Sequence, residues 1–265
     1  LPPYVFSEVN EMKARARSAG LDIIDFGMGN PDSPSPAHVV EKLVEAVRDP
    51  RTHRYSTSRG IKGLRRALAN YYQRRFDVTL DPDEEVIVTL GSKEGLANLA
   101  SAISAPGDII LVPNPSYPIH PYGFIIAGAS VRHVPTGPDF DLMAEMHRAV
   151  KNSTPSPRAL VLNFPNNPTA ETVDLAFYRE VVKLAQAHEI FILSDIAYAE
   201  IYFDGEPPPS ILQVPGAREI AVEFSSLSKT YSMPGWRVGF GAGNRDLINA
   251  LARIKSYLDY GAFTP

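Results

Sequence analysis

Ser226-Leu227-Ser228-Lys229, followed by Arg237-Val238-Gly239, sets an amine between two hydroxyls and a guanidinium. The run Ile220-Ala221-Val222-Glu223-Phe224 leads into it, which predicts that Lys229 lies in a loop just past a strand's C-terminal end. In an open α/β sheet that edge is where ligands bind. A lysine amine becomes a Schiff-base nucleophile when its surroundings stop it holding its proton. The hydroxyls of Ser226 and Ser228 and the guanidinium of Arg237, eight residues beyond the lysine, suit a phosphate that needs several hydrogen bonds and a bidentate clamp. The chemistry indicated is a phosphorylated aldehyde held covalently on Lys229. A lone lysine is more often a solvated surface charge, so the elements that position it have to carry the argument.

Residues 1–36 are rich in Pro and Gly and hold one strand candidate, 22–26, running into Gly27-Met28-Gly29-Asn30-Pro31-Asp32. The two glycines there form a plain tight turn or bring a backbone N–H close to a ligand. Ser35-Pro36 opens a helix whose apolar stripe is Val39, Val40, Leu43, Val44 and Val47. A polar loop at 52–60 carries Tyr55 between arginines. The helix after it turns Ile61, Leu64, Leu68 and Tyr72 inward.

From residue 85 strand and helix alternate. The run 85–90 reads as a buried strand, and Gly91-Ser92-Lys93-Glu94-Gly95 turns it into a helix over 96–105. A strand, a glycine turn and a helix start offer N–H groups and a positive dipole end to a phosphate. This one is neither a Walker loop nor a G-x-G-x-x-G. Further strands are expected at 108–113, ending near Tyr117; at 131–134; and at 159–163, ending in Phe164-Pro165-Asn166-Asn167-Pro168-Thr169. Tyr117 stacks on a flat ring or packs on its own loop. Asn167 aims an amide at a partner or serves turn chemistry alone. A helix over 173–188 leads to a strand at 190–195. Asp195 closes that strand, where a buried carboxylate needs a partner, and Tyr198 follows three residues on. A strand at 236–241 and a helix at 245–257 complete the alternation.

Composition narrows the classes. The 265 residues are 44% hydrophobic and 21% charged, ordinary for a soluble globular chain with one large core or two smaller ones. A net charge of -4 without a basic block gives no reason to expect nucleic acid or an anionic membrane. The chain has no cysteine, which excludes disulfides, thiolate zinc sites and cysteine nucleophiles. His38, His53, His120, His133, His147 and His188 lack metal-ligand spacing, and most are expected at the surface; no metal site is expected. No apolar stretch is long enough to span a bilayer and the first residues are no signal peptide, so the expected location is cytoplasmic. A first residue other than Met, and a last residue Pro265 with no closing element, lead us to expect a piece of a longer polypeptide.

Taken together, the sites are a phosphate cradle, an aromatic, an asparagine, an aspartate with a tyrosine, and a lysine flanked by phosphate ligands. That set describes a pyridoxal 5'-phosphate (PLP) pocket. Asn163-Phe164-Pro165-Asn166-Asn167-Pro168-Thr169, Ser194-Asp195-Ile196-Ala197-Tyr198 and Ser226-Leu227-Ser228-Lys229-(x7)-Arg237-x-Gly239 carry a specific resemblance. Their order and spacing, across nearly the whole chain, resemble the class I/II aminotransferases of PLP fold type I, the aspartate-aminotransferase-like family. The stretches around Gly29, Tyr55, Gly91 and Tyr117 look most similar to the bacterial alanine (glutamate–pyruvate) aminotransferase group, with diaminopimelate, aspartate and methionine aminotransferases as neighbours.

The resemblance implies a three-layer α/β/α fold with a mostly parallel sheet. Residues 1–36 would be an N-terminal arm and part of the small domain, and 37–265 the PLP-binding large domain, incomplete at its C-terminal end. The C-terminal small domain, with the substrate-carboxylate arginine, would lie beyond Pro265. Lys229 would form the Schiff base and shuttle the proton, Asp195 would pair with the pyridinium N–H, and Tyr198 and Asn167 would bond the ring's phenolate oxygen. Tyr117 would stack on the ring, while Ser92, Lys93, Ser226, Ser228 and Arg237 would hold the phosphate. Tyr55 would reach the partner's phosphate in a homodimer, and the Gly29 N–H would contact the substrate carboxylate. The implied reaction moves an amino group between an amino acid, first L-alanine, and a 2-oxo acid, 2-oxoglutarate. The stretch 257–263 has no arginine, which weighs against a dicarboxylate-only enzyme. Two alternatives remain open: a fold type I lyase, and a PLP-sensing regulator fused to a DNA-binding module.

Overall fold

The computed structural model describes residues 1–27 and 29–265; Met28, inside the glycine motif at 27–32, lies outside the described residues. The described chain forms two compact units, Leu1–Asp32 and Ser33–Pro265.

The first unit holds α1 (Val5–Ser18), with Glu8 in its first turn and Arg15 and Arg17 in its last, the charge order a helix dipole favours. This helix was not expected, and the strand expected at 22–26 is absent. β-formers make a strand only when a neighbouring backbone takes up their N–H and C=O groups, and here Ile24 and Phe26 are 81% and 92% exposed. Asp25 instead ties the segment to α1, accepting from Gly27 N–H at 2.9 Å and from Lys13 Nζ at 3.0 Å. The Gly27 N–H first, then Lys13, holds its carboxyl below the usual carboxylate range.

The second unit begins with α2 (Ala37–Val47), α3 (Lys62–Phe76), β1 (Val86–Thr89), α4 (Ser92–Ile103) and β2 (Ile109–Asn114). It continues with α5 (Ile119–Ile126), β3 (Ser130–Pro135), α6 (Leu142–Lys151), β4 (Ala159–Asn163) and α7 (Leu175–Ala187). β5 (Phe191–Asp195), β6 (Ala221–Ser226), α8 (Leu227–Thr230), β7 (Gly239–Gly243) and α9 (Arg245–Leu258) complete it. Neither α5 nor α6 was expected. α5 is apolar over most of its surface and shows no clean stripe, while α6 starts where the Asp141 side chain accepts the Ala144 N–H at 3.1 Å. No residue of α2 is buried, so its apolar stripe stays at the surface of this unit.

Among the described residues the strands form one sheet in the order β1-β7-β6-β5-β4-β2-β3. β2, β3, β4, β5 and β6 pair in parallel, and β7 runs antiparallel to both its neighbours, β6 and β1. The sheet is therefore mostly parallel, as the resemblance implied. Along β4, Leu160 and Leu162 enter a core shared with α3, α6 and α7, and Val161 enters a second core with α4, α5 and α9. Helices on both faces explain why these strands read as continuous apolar runs instead of alternating ones. Each such buried side chain contributes about 1.5–3 kcal/mol relative to exposure.

Two boundaries matter for the site. α4 starts at Ser92, earlier than expected, so its N-terminal N–H groups meet the Gly91 turn directly. The strand expected from 236 starts at Gly239, because Pro234–Trp236 forms a 3-10 turn and Arg237 caps it in the left-handed region at φ 56°.

Candidate active site

Five strand ends meet on one edge of the sheet. Asn163 and Asp195 close β4 and β5 side by side in register, β6 runs into Lys229, β1 into Gly91 and β2 toward Tyr117. Because β7 runs the other way, its start lies on this same edge and delivers Arg237 there. The direction of one strand thus decides where the guanidinium goes.

Ser226, still extended as the last residue of β6, caps α8. Its side chain accepts the Ser228 N–H at 3.1 Å, and its hydroxyl lies 2.8 Å from Ser228 Oγ, with both serines buried. The Leu227 N–H donates to the Val238 carbonyl at 3.0 Å, which ties the lysine turn to the segment bearing Arg237. Lys229 is half-buried, its Nζ 5.5 Å from the centroid of the Tyr198 ring. Burial pulls the amine below the ordinary lysine range and raises its uncharged, nucleophilic fraction. Burial, then the charge of Asp195, pushes the Tyr198 phenol upward, so it stays a hydrogen-bond donor.

Asp195 is buried and takes two partners on its carboxylate. His120 Nε2 lies 3.0 Å from Oδ2, and the Ala197 N–H donates to Oδ1 at 3.0 Å. With the Nε2 proton on His120 this is a donor to the carboxylate, leaving Nδ1 a buried atom with no bonding partner among the described residues. The Asn163 amide donates to the Asp195 carbonyl at 2.9 Å, and its Oδ1 accepts the Asn167 N–H at 2.8 Å, so the two loops are joined. Tyr117 is half-buried, edge-on to His120 with centroids 5.9 Å apart, and Lys93 Nζ lies 5.8 Å from its ring.

The anion cradle is built on two glycines. Gly91 has φ +84°, and a Cβ there would collide with Arg237 Nη2. At Gly239 a Cβ would sit 2.6 Å from both the Gly91 carbonyl carbon and the Ser92 nitrogen. Without side chains at either position, β7 and the α4 N-terminus close up and Arg237 lies across the turn. Arg237 donates to the carbonyls of Pro234 at 3.0 Å and Leu90 at 3.2 Å, fewer contacts than its five N–H donors can make. A guanidinium across the N-terminus of a three-turn helix, beside two hydroxyls, fits a phosphate dianion. Among the described residues no cluster of three or more His, Cys, Asp or Glu is placed to hold a metal ion, and no helix is long and apolar enough to cross a membrane.

The structure brings together Ser92, Lys93, Tyr117, Asn167, Asp195, Tyr198, Ser226, Ser228, Lys229 and Arg237 at this edge. Tyr55 stands apart: it is 84% exposed and its ring packs on Tyr260, 4.5 Å between centroids. Gly29 is exposed in the first unit. Most of the histidines lie at the surface, as expected, and His120, 1% exposed, is the exception. Its signal was available: a histidine inside Ile119-His120-Pro121-Tyr122-Gly123-Phe124 has apolar neighbours and needs a buried partner.

The family described as aminotransferase class I and II matches residues 21–259. Over the whole chain the sequence is 61% identical to AatC of Rhizobium meliloti and 57% identical to the glutamate-pyruvate aminotransferase AlaC of Escherichia coli. It spans 65% and 64% of the lengths of these two relatives. The solved structure of Thermus thermophilus aspartate aminotransferase with maleate superposes on all of this chain with a TM-score of 0.91 at 32% identity, and 68% of that chain is covered.

Proposed function

From the premise that the chain belongs to the aminotransferase class I and II family, we propose that it is the cofactor-binding part of a transaminase acting on an amino acid and a 2-oxo acid. Members of this family use pyridoxal 5'-phosphate, which when bound supplies an electrophilic carbon and a ring that accepts electrons. The observation that carries the reading is the convergence of one amine, one carboxylate and one anion cradle on a single sheet edge.

Each residue has a task in this reading. Arg237, Ser226, Ser228 and the N–H groups of Ser92 and Lys93 hold the phosphate. Asp195, steadied by His120 and the Ala197 N–H, keeps a proton on the ring nitrogen. Tyr198 and Asn167 would donate to the ring oxygen, and Tyr117 would cover the ring face. Lys229, partly desolvated, would hold the cofactor and would take and return the proton at the substrate's α-carbon. We assign L-alanine and 2-oxoglutarate as the pair, a reading supported by the 57% identity to AlaC. We further assign a cytoplasmic homodimer in which Tyr55 reaches the partner's phosphate, a role its exposure favours.

The test is an absorbance spectrum of the whole protein with pyridoxal 5'-phosphate, recorded before and after L-alanine and again after 2-oxoglutarate. The expected result is a cofactor band that shifts with alanine and returns with 2-oxoglutarate. A band unmoved by any amino acid, or release of pyruvate with ammonia, overturns transamination. Failure to take up the cofactor with Lys229 intact overturns the site.

A further inference from the structure

Lys255 on α9 is fully buried, a costly place for an ammonium unless it is paired. Its Nζ lies 2.9 Å from Glu94 Oε1 and 2.9 Å from Asp259 Oδ2. Each carboxylate in turn holds a backbone segment. Glu94, in the first turn of α4, accepts the Leu90 N–H on Oε2 at 2.9 Å, while the Leu90 carbonyl accepts Arg237 Nη2 at 3.2 Å. The peptide groups of Leu90, the residue before the cradle glycine, are thus clamped from both sides. Asp259 accepts the Gly261 N–H on Oδ1 at 2.7 Å, and its carbonyl accepts the Ser58 hydroxyl at 2.5 Å. Ser58 lies in the loop of Tyr55, whose ring rests on Tyr260. One continuous path therefore runs from Leu90 through Glu94, Lys255 and Asp259 to Ser58.

We propose that Lys255 is a positioning residue for the phosphate cradle, which fixes the turn at 90–92 and the Tyr55 loop in one register through Glu94 and Asp259. The proposal rests on the cofactor-site reading above. Stability alone does not call for these charges, because a buried ion pair can be exchanged for apolar side chains at little cost. What the charges supply is direction: Lys255, together with the Asn98 amide, holds Oε1 of Glu94, which aims Oε2 at the Leu90 N–H.

A readout specific to the phosphate separates positioning from general packing. The dissociation constants of pyridoxal 5'-phosphate and of pyridoxal, which lacks the phosphate, are measured on the apo form of the whole protein. The same is done for Lys255→Met, for Glu94→Gln and for the two combined, in which the loss of both charges avoids an unpaired, half-buried carboxylate at Glu94. Wild-type protein should prefer the phosphorylated ligand. The variants should lose about tenfold in affinity for it, as expected for one charge-assisted hydrogen bond, with pyridoxal changed less than about twofold. An equal loss for both ligands, or no loss for either in variants that keep the native circular dichroism, overturns the proposal and leaves the cradle standing. Wild-type protein that binds the two ligands equally overturns the cradle reading and this proposal with it. Glu94→Gln is close in shape to the native residue but has one acceptor oxygen for two donors, Lys255 and the Leu90 N–H, so the comparison survives if Lys255→Met does not fold.

Discussion

Lys229 and its neighbours show how burial, more than residue type, assigns roles. A lysine on a solvated surface keeps its proton, whereas this one is pulled below its ordinary range by desolvation, and the Tyr198 phenol beside it is pushed the opposite way. Borohydride reduction of the loaded whole protein, followed by peptide mass analysis, should place the cofactor mass on the Lys229 peptide. Lys229→Ala should carry none of that mass and lose about 10²-fold to 10⁴-fold in rate. Label on another lysine in the wild-type protein would end the assignment. The lysine, the aspartate and Arg237 were legible in the sequence because each sits in a motif whose residue types make sense only together. The apolar neighbours of His120 marked it for burial, but its partner Asp195, far along the chain, is set only by the fold.

At the level of elements, the site depends on how closely β7 approaches α4. Gly239→Ala sets a Cβ against backbone atoms that cannot rotate away, so the turn must move. The expected cost is about 1–3 kcal/mol of stability, as for other overpacked sites, with phosphate affinity falling alongside it. Thermal melts and apo-protein titration would report both, and an unchanged cofactor affinity would argue against the cradle geometry. β6 carries a second consequence in Glu223, which is fully buried on the strand that leads to Lys229. It accepts from Tyr72 Oη at 3.0 Å, Ser210 Oγ at 2.6 Å, Ser194 Oγ at 3.3 Å and the Ile211 N–H at 3.1 Å. Burial outweighs these donors and pushes its carboxyl from an ordinary 4.5 up to about 7. The folded state then holds a proton that the unfolded chain has released, so this contribution to stability is complete below about 4.5 and is lost as pH rises to about 7. The loss amounts to about 3 kcal/mol at most. Denaturant melts between pH 5 and 8 should show this decline, and Glu223→Gln should flatten it; an unchanged slope in the variant would remove Glu223 as its source.

For the whole molecule, the exposed Tyr55 makes the proposed assembly testable without a structure of the dimer. If Tyr55 serves the partner's site, Lys229→Ala and Tyr55→Ala fail in different subunits. A hybrid dimer of the two variants rebuilds one native site, because the Lys229→Ala subunit still supplies Tyr55 to the intact lysine of its partner. Mixing equal amounts of the variants under conditions that exchange subunits should restore activity toward about a quarter of that of the same amount of wild-type protein, because about half of the dimers are then hybrids with one native site each. Recovery no greater than the sum of the separate variants would mean that Tyr55 acts within its own chain or not at all.

What the sequence determined by itself was local: apolar runs long enough for strands, a glycine turn into a helix, and catalytic residue types at fixed offsets after strand ends. These follow from covalent spacing and side-chain chemistry, which need no knowledge of neighbours. Tertiary structure alone decided the rest. The reversal of β7, the loss of a strand at 22–26 for want of a ladder partner, the pairing of His120 with Asp195 and the path through Lys255 all depend on groups far apart in the chain. Burial and hydrogen-bond partnership belong to the packed molecule, because desolvation and strand pairing exist only once distant segments have excluded water between them.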